Sequence, residues 1–283
     1  MRWQVGEVRI TKIVELEFPP ITGPDFIFPD ATPQALLAIP WLQPHYIDTQ
    51  GKLRFSFHAL VVETATLRIL VDTCFGNGKQ RGIEMDGLNT HFLADLAAAG
   101  YPPEHIDVVV CTHLHIDHVG WNTRLVNGRW IPTFPNARYL IARTEYDYWL
   151  QQQEDPLHRQ VFDDSVQPIW EAGLVDLVAA DHVLCQEVRL SPTPGHTPGH
   201  VSVHIASGGQ RAVITGDFVH HPFQFARPDW SARIDHDSQQ SVHTRREAFA
   251  QFVAGNVLVI GTHFCNPTAG YLRRDVDAFR FDV

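Results

Sequence analysis

Residues 113–118 read HLHIDH, which sets three imidazoles and a carboxylate (His113, His115, Asp117 and His118) directly after the apolar run IDVVVCT. Histidine and carboxylate together suit Zn²⁺, Mn²⁺, Fe²⁺ or Co²⁺, and catalytic zinc sites keep one position open for water. A His-x-His pair cannot share a helix face, where neighbours fall three or four residues apart. On an extended strand end side chains alternate with period two, so both rings point the same way while Asp117 and His118 face a second position. Two neighbouring metals, with one carboxylate between them, follow from that density. The chain also carries Asp72 at the end of LRILVD, His196 within TPGHTPGH, Asp217 in TGD and His263 in GTH.

Each of these residues closes an apolar run. LRILV leads to Asp72, IDVVVCT to His113, EVRLSPTPG to His196, RAVITG to Asp217 and NVLVIGT to His263. Ligand sites of sheet-based enzymes lie beyond strand ends, where loops converge on a rigid base. Around these strands the spacing predicts a helix in THFLADLAAAG, with Phe92 and Leu96 on one face and Gly100 as a stop, and helices over 143–151, 157–172 and 238–254. An NGR turn precedes the strand ARYLIA, and HVSVHIASGGQRAVITGD reads as a hairpin. Residues 18–50 are proline- and aromatic-rich, with one short helical pattern after Thr32-Pro33, and read as an irregular covering segment or a dimer contact. Strands that pair with sequence neighbours, punctuated by helices in both halves, predict an α/β fold: a four-layer αββα sandwich of two mixed sheets with helices outside. No break in composition marks a second domain, so residues 1–283 are expected to form a single domain.

The 283 residues carry a formal net charge of −10, with 44% hydrophobic and 19% charged side chains. That composition belongs to a folded globular chain, and the acidic balance without basic clusters argues against nucleic acid or an anionic membrane as partner. The start MRWQVGEVRI has no apolar core of a signal peptide and no stretch nears about eighteen apolar residues, so neither a leader nor a spanning helix is expected. Cys74, Cys111, Cys185 and Cys265 lack paired spacing and are expected to be reduced thiols in a cytoplasmic protein. Seventeen histidines is a high count and points the same way as the HLHIDH stretch.

In this order and rough spacing, Asp72, HLHIDH, His196, Asp217 and His263 resemble the signature of the metallo-β-lactamase fold superfamily over about residues 50–265. The resemblance implies that His113, His115 and His196 hold one divalent metal ion, that Asp117, His118 and His263 hold a second, and that Asp217 bridges them. Zinc is the first expectation for both ions. The resemblance further implies that Asp72 organises the ligand loop, and His200, four residues after His196, is expected to support the ligands without being one. His115 stands where flavodiiron-type redox members have glutamate, which implies a hydrolytic centre. The bridging Asp217 separates the chain from true β-lactamases, and the short tail after His263 separates it from glyoxalase-II-like enzymes.

The tail GTHFCNPTAGYLRRDVDAFRFDV and the stretch from Gly216 to Phe249 are similar to methyl-parathion-hydrolase-like proteins, and TPGHTPGH is shared with acyl-homoserine-lactone lactonases. Lactonases of that branch place a tyrosine three residues beyond the bridging aspartate, where this chain has His220, followed by His221. The expectation is therefore a metal-dependent hydrolase in which a metal-bridging hydroxide attacks an ester or lactone carbonyl, with Asp117, Asp217 and His220 at the reacting atoms. Phe75, Trp121, Phe218 and Phe264 are candidate walls of an apolar pocket for the acyl or aryl group of a small-molecule substrate. A phosphotriester is the rival substrate, and a non-catalytic metal protein the rival class.

Overall fold

A computed structural model describes residues 1–283. They group into two compact units: Met1–Leu16 with Phe57–His182, and Glu17–Ser56 with Val183–Val283. No helix is long and apolar enough to cross a membrane.

The first unit is built on a seven-stranded sheet, ordered Arg2–Val5, Val8–Glu17, Ser56–Glu63, Arg68–Val71, Val108–Cys111, Arg138–Ala142 and Val175–Val178. The last four run parallel. Parallel strands are covered on both faces, which is why ILV, VVVC and YLIA read as unbroken apolar runs. Helix Phe92–Ala98 buries Phe92 and Leu96, the face that its spacing predicts, and stops before Gly100 at φ 102. Asn127 and Gly128, both at positive φ, close the hairpin of Thr123–Val126 with Arg129–Pro132.

The expected helix over 157–172 is one helical run with a defect. Pro156–Val161 and Gln167–Glu171 are α-helical, and Phe162–Val166 between them forms a π turn in which the N–H of Gln167 reaches back to the carbonyl of Phe162. Pro168 has no N–H to return to Asp164 four residues earlier, so that carbonyl is free for other donors. It takes them from the Lys79 ammonium, at 3.0 Å, and from the Thr123 hydroxyl.

The second unit carries a six-stranded sheet, ordered Val188–Pro192, Val201–Ser207, Gln210–Ile214, Leu258–Ile260, Ala269–Asp275 and Ala278–Asp282. Only Gln210–Ile214 and Leu258–Ile260 are parallel neighbours, joined through helix Ser238–Ala254. Asp237 caps that helix by accepting from the Gln240 N–H at 2.9 Å. The proline-rich segment belongs to this unit and contains one short α-helix, Pro33–Leu37, capped by Thr32, followed by a 3-10 turn at Pro40–Leu42. Its Phe28 and Tyr46 are spent inside the unit: Phe28 stacks on Phe55 and meets Phe223 edge-on, and Tyr46 donates to the Pro267 carbonyl at 2.6 Å. The last two strands lie in the tail after His263, where AFRFD alternates over only five residues and buries Phe279 and Phe281.

Leu70 sits in the strand that delivers Asp72, is fully buried, and lies between Val61 and Val109 in the sheet. Leu70→Ala is expected to lower unfolding free energy by about 2–5 kcal/mol, transfer plus cavity, read from urea denaturation. A loss below about 1 kcal/mol would mean that the strand bases are less closely packed than their burial implies.

Candidate metal centre

In the first unit the strand Val108–Cys111 ends two residues before His113. The His-x-His pair therefore stands on a loop, and the expectation of a strand end is corrected by one turn of irregular backbone. The two rings still meet, with His113 Nε2 3.0 Å from His115 Nδ1. What replaces strand geometry is a set of holds from elsewhere. Asp72 accepts from the Thr112 N–H and from the Thr112 hydroxyl, each at 2.8 Å, and its second oxygen lies 2.9 Å from His118 Nδ1. To reach both, Asp72 adopts φ 58, a left-handed conformation that aspartate tolerates better than most residues. Glu145, at the start of helix Arg143–Gln151, accepts from the Leu114 N–H at 3.0 Å and from the Trp149 indole at 2.6 Å, and the Trp149 ring meets His115 edge-on. The Thr73 N–H donates to the His118 carbonyl at 2.7 Å. Gly120 is obligatory here, because a Cβ would lie 1.8 Å from the Phe75 carbonyl oxygen.

In the second unit His196 Nδ1 lies 2.9 Å from Asp235 Oδ1, and His263 Nε2 lies 3.1 Å from Asp217. His200 accepts the Asp217 N–H on Nε2 at 2.8 Å and shares its Nδ1 with the Thr193 hydroxyl at 2.8 Å. It thus holds the backbone of Asp217. His196, Asp217 and His220 bring ligand atoms within 4.8 Å of one another. His220 and His221, adjacent in sequence, part ways in structure. His221 is consumed by the Tyr46 carbonyl at 2.9 Å and by the Phe223 N–H at 3.2 Å. His220 hydrogen-bonds through neither ring nitrogen, and its Nε2 stands 3.4 Å from Asp217 Oδ2. Burial holds the His220 imidazole neutral, with its pKa drawn down to about 3 against the pull of Asp217.

The proton count makes both sets fit for a cation. Where Nδ1–H is given to a carboxylate, as from His118 to Asp72 and from His196 to Asp235, Nε2 keeps its lone pair. Those lone pairs face carboxylate oxygens: His118 Nε2 lies 3.5 Å from Asp117, and His196 Nε2 lies 3.8 Å from Asp217. Acceptor facing acceptor in a buried site is unfavourable until a positive ion lies between them. Imidazole nitrogen with carboxylate oxygen is a donor set for a divalent metal such as zinc.

The aromatic wall candidates are all buried. Trp121 donates its indole N–H to Glu15 at 2.6 Å and stacks on Phe92. Phe75 packs against Phe57, Phe218 against Phe249 and Phe252, and Phe264 against Phe225 and Phe281. Several supporting residues escape any reading of spacing: Glu15, Arg81, Glu145, Asp164 and Asp235. Only the general need of a ligating histidine for an oxygen partner on its far nitrogen points to one of them, and it would prompt a search for Asp235. Burial pushes the Asp235 carboxyl up, but the hydrogen bond from His196 and the nearby Arg245 guanidinium help to more than offset it, for a net downward shift.

Residues 56–259 match the model of the metallo-beta-lactamase superfamily, and the chain belongs to that family. Its fold is that of the hydrolase AbOPH, a beta lactamase superfamily member, at TM-score 0.80 and 25% identity over 100% of this chain and 96% of the other. AidC, a dizinc quorum-quenching lactonase solved with a product, N-hexanoyl-L-homoserine, shares the fold at TM-score 0.81 and 22% identity, over 99% and 96% of the two chains. Among curated sequences the chain is similar to an N-acyl homoserine lactonase of Bacillus thuringiensis, 29% identical over 120 residues, and to one of Bacillus cereus, 32% identical over 119 residues. Each match covers 42% of this chain and spans only 40% of the relative's length.

Asp235 also lies 3.7 Å from Arg245, and both side chains are fully buried. Asp235→Asn removes the charge that Arg245 and His196 share, leaving a buried guanidinium uncompensated. The expected cost is about 3 kcal/mol in denaturant unfolding, with metal retention after chelator dialysis falling about tenfold. Unchanged stability and retention together would show that Asp235 is incidental to His196.

Proposed function

We propose that the chain is a binuclear metal-dependent hydrolase acting on the carbonyl of a small ester or lactone that bears an apolar acyl or aryl group. By motif order, His113, His115 and His196 are assigned to one ion, Asp117, His118 and His263 to the other, and Asp217 to both. The observation that carries the reading is the disposition of His118 and His196, whose far nitrogens are spent on Asp72 and Asp235 while their near nitrogens face carboxylates. Two zinc ions are the preferred occupants, a reading that the dizinc lactonase of the same fold supports. When bound, the ions supply Lewis acidity, making water nucleophilic at neutral pH and taking up charge on the carbonyl oxygen.

The chain's own groups do the rest. Asp117 Oδ2 and Asp217 can accept a proton from the attacking water and return it to the leaving alkoxide. His220 is held 3.4 Å from Asp217 with no hydrogen bond committed on its ring. A neutral imidazole carries one N–H, which can be donated to the substrate carbonyl as charge develops there. His221, with both nitrogens satisfied, fixes the turn that presents His220. The same clamp could serve displacement at phosphorus, so the substrate comparison must include it.

A proton-release assay on the zinc-loaded protein should show higher kcat/KM for a long-chain homoserine lactone or an aryl acetate than for an aryl phosphotriester. The reverse order would move the attack to phosphorus. Asp217→Ala is expected to halve zinc content and abolish most turnover; near-normal rates with one ion bound would remove the bridging assignment. His220→Ala should lower kcat/KM by about a hundredfold at unchanged metal content, and unaltered kinetics would make His220 a packing residue.

A further inference from the structure

The ligand loop is held at two peptide planes by buried ionisable side chains that belong to neither metal set. One plane joins His113 to Leu114 and is held by Glu145 through the Leu114 N–H. The other joins Ile116 to Asp117, and there Arg81 Nη1 donates to the Ile116 carbonyl at 3.1 Å. This second plane fixes φ of Asp117. Because the carboxylate of aspartate sits only one carbon beyond Cβ, a rotated plane carries its oxygens away from any fixed ion with little chance of side-chain compensation.

Arg81 is placed with unusual rigidity for a long side chain. Its side chain is 1% exposed, its Nε and Nη2 bind the two oxygens of Asp164 at 2.9 and 2.6 Å, and Nη2 also donates to the Ser165 hydroxyl at 2.9 Å. Such a two-pronged guanidinium–carboxylate pair defines direction as well as distance. Asp164 is itself set by the π turn, whose released carbonyl is taken by Lys79 and Thr123. Lys79 lies under the Trp130 ring, and burial draws its pKa down to about 7 against the pull of Asp164. The permanent cation facing Asp164 at neutral pH is therefore Arg81.

We propose that Arg81, fixed by Asp164, is a positioning residue for the second metal: by setting the Ile116–Asp117 peptide plane it sets the affinity of the ion assigned to Asp117 and His118. Glu145 holds the corresponding plane on the His113 side, so the two affinities are supported by separate parts of the fold. The inference rests on the binuclear reading above.

The test is zinc titration of the metal-stripped protein against a chromogenic chelator, with Asp117→Asn as the marker for the second binding step. The wild-type protein should take up two ions. In Arg81→Met the step that Asp117→Asn abolishes should weaken ten- to a hundredfold, with the other step changed less than threefold. The visible spectrum of the cobalt-loaded variant should change for that step alone. A merely structural role would lower Tm and leave the ratio of the two affinities where it was. Should Arg81→Met fail to fold, Arg81→Lys carries the test, since it keeps a cation for Asp164 without the fork that also reaches Ile116. Two unaltered steps, or equal weakening of both, overturn the proposal. Uptake of a single ion by the wild-type protein overturns the binuclear reading instead, before Arg81 is at issue.

Discussion

Packing imidazoles and carboxylates together away from water is unfavourable unless every proton has an owner and every remaining lone pair a cation. That constraint organises this molecule. Asp72 and Asp235 own the protons on the far side of His118 and His196, and His200 takes the backbone proton of Asp217. What is left over in each unit is a lone pair aimed at a carboxylate, from His118 to Asp117 and from His196 to Asp217. The supporting carboxylates thus do two things at once: they orient each ring and raise the demand for a positive charge in front of it.

The second demand is mechanical. A loop of six residues with four polar side chains has no core of its own, so its backbone is held by residues that do. Thr112 is tied to Asp72, Leu114 to Glu145, Ile116 to Arg81 and His118 to Thr73. Each partner leaves a strand, a helix start or a buried ion pair, and each is rigid for its own reasons. The loop inherits order from four directions without regular secondary structure. Sites held by such supporting contacts keep their ligands within the narrow tolerance that metal binding demands.

Much of this was legible in the amino-acid sequence because strand ends announce themselves. ILV before Asp72, VVVC before His113 and AVI before Asp217 are strand segments whose apolar runs stop where the chemistry begins. The helical period placed Phe92 and Leu96 on the inner face of their helix. Residues joined only through space were illegible. Asp235 lies 39 positions from His196, and Asp164 lies 83 from Arg81. No local period connects such pairs, and Arg or Asp in a loop normally reads as solvated surface. His220 and His221 show the same limit at closer range: neighbours of one type, they part because His221 meets the Tyr46 carbonyl and the Phe223 N–H while His220 faces Asp217. The π turn was hidden for a subtler reason, since the helical pattern over 157–172 runs through Pro168 without showing that its missing N–H releases the Asp164 carbonyl.

Pro168 also bears on how this chain could be altered. By helix propensity alone the position invites alanine, with a nominal gain of about 3 kcal/mol. Yet an N–H at residue 168 would compete for the Asp164 carbonyl, which Lys79 and Thr123 now occupy. A consensus or propensity-guided redesign would therefore be rewarded for straightening the helix while loosening a site that lies outside it. In this fold the missing donor is the functional part of the residue, and its worth cannot be scored within the helix that contains it.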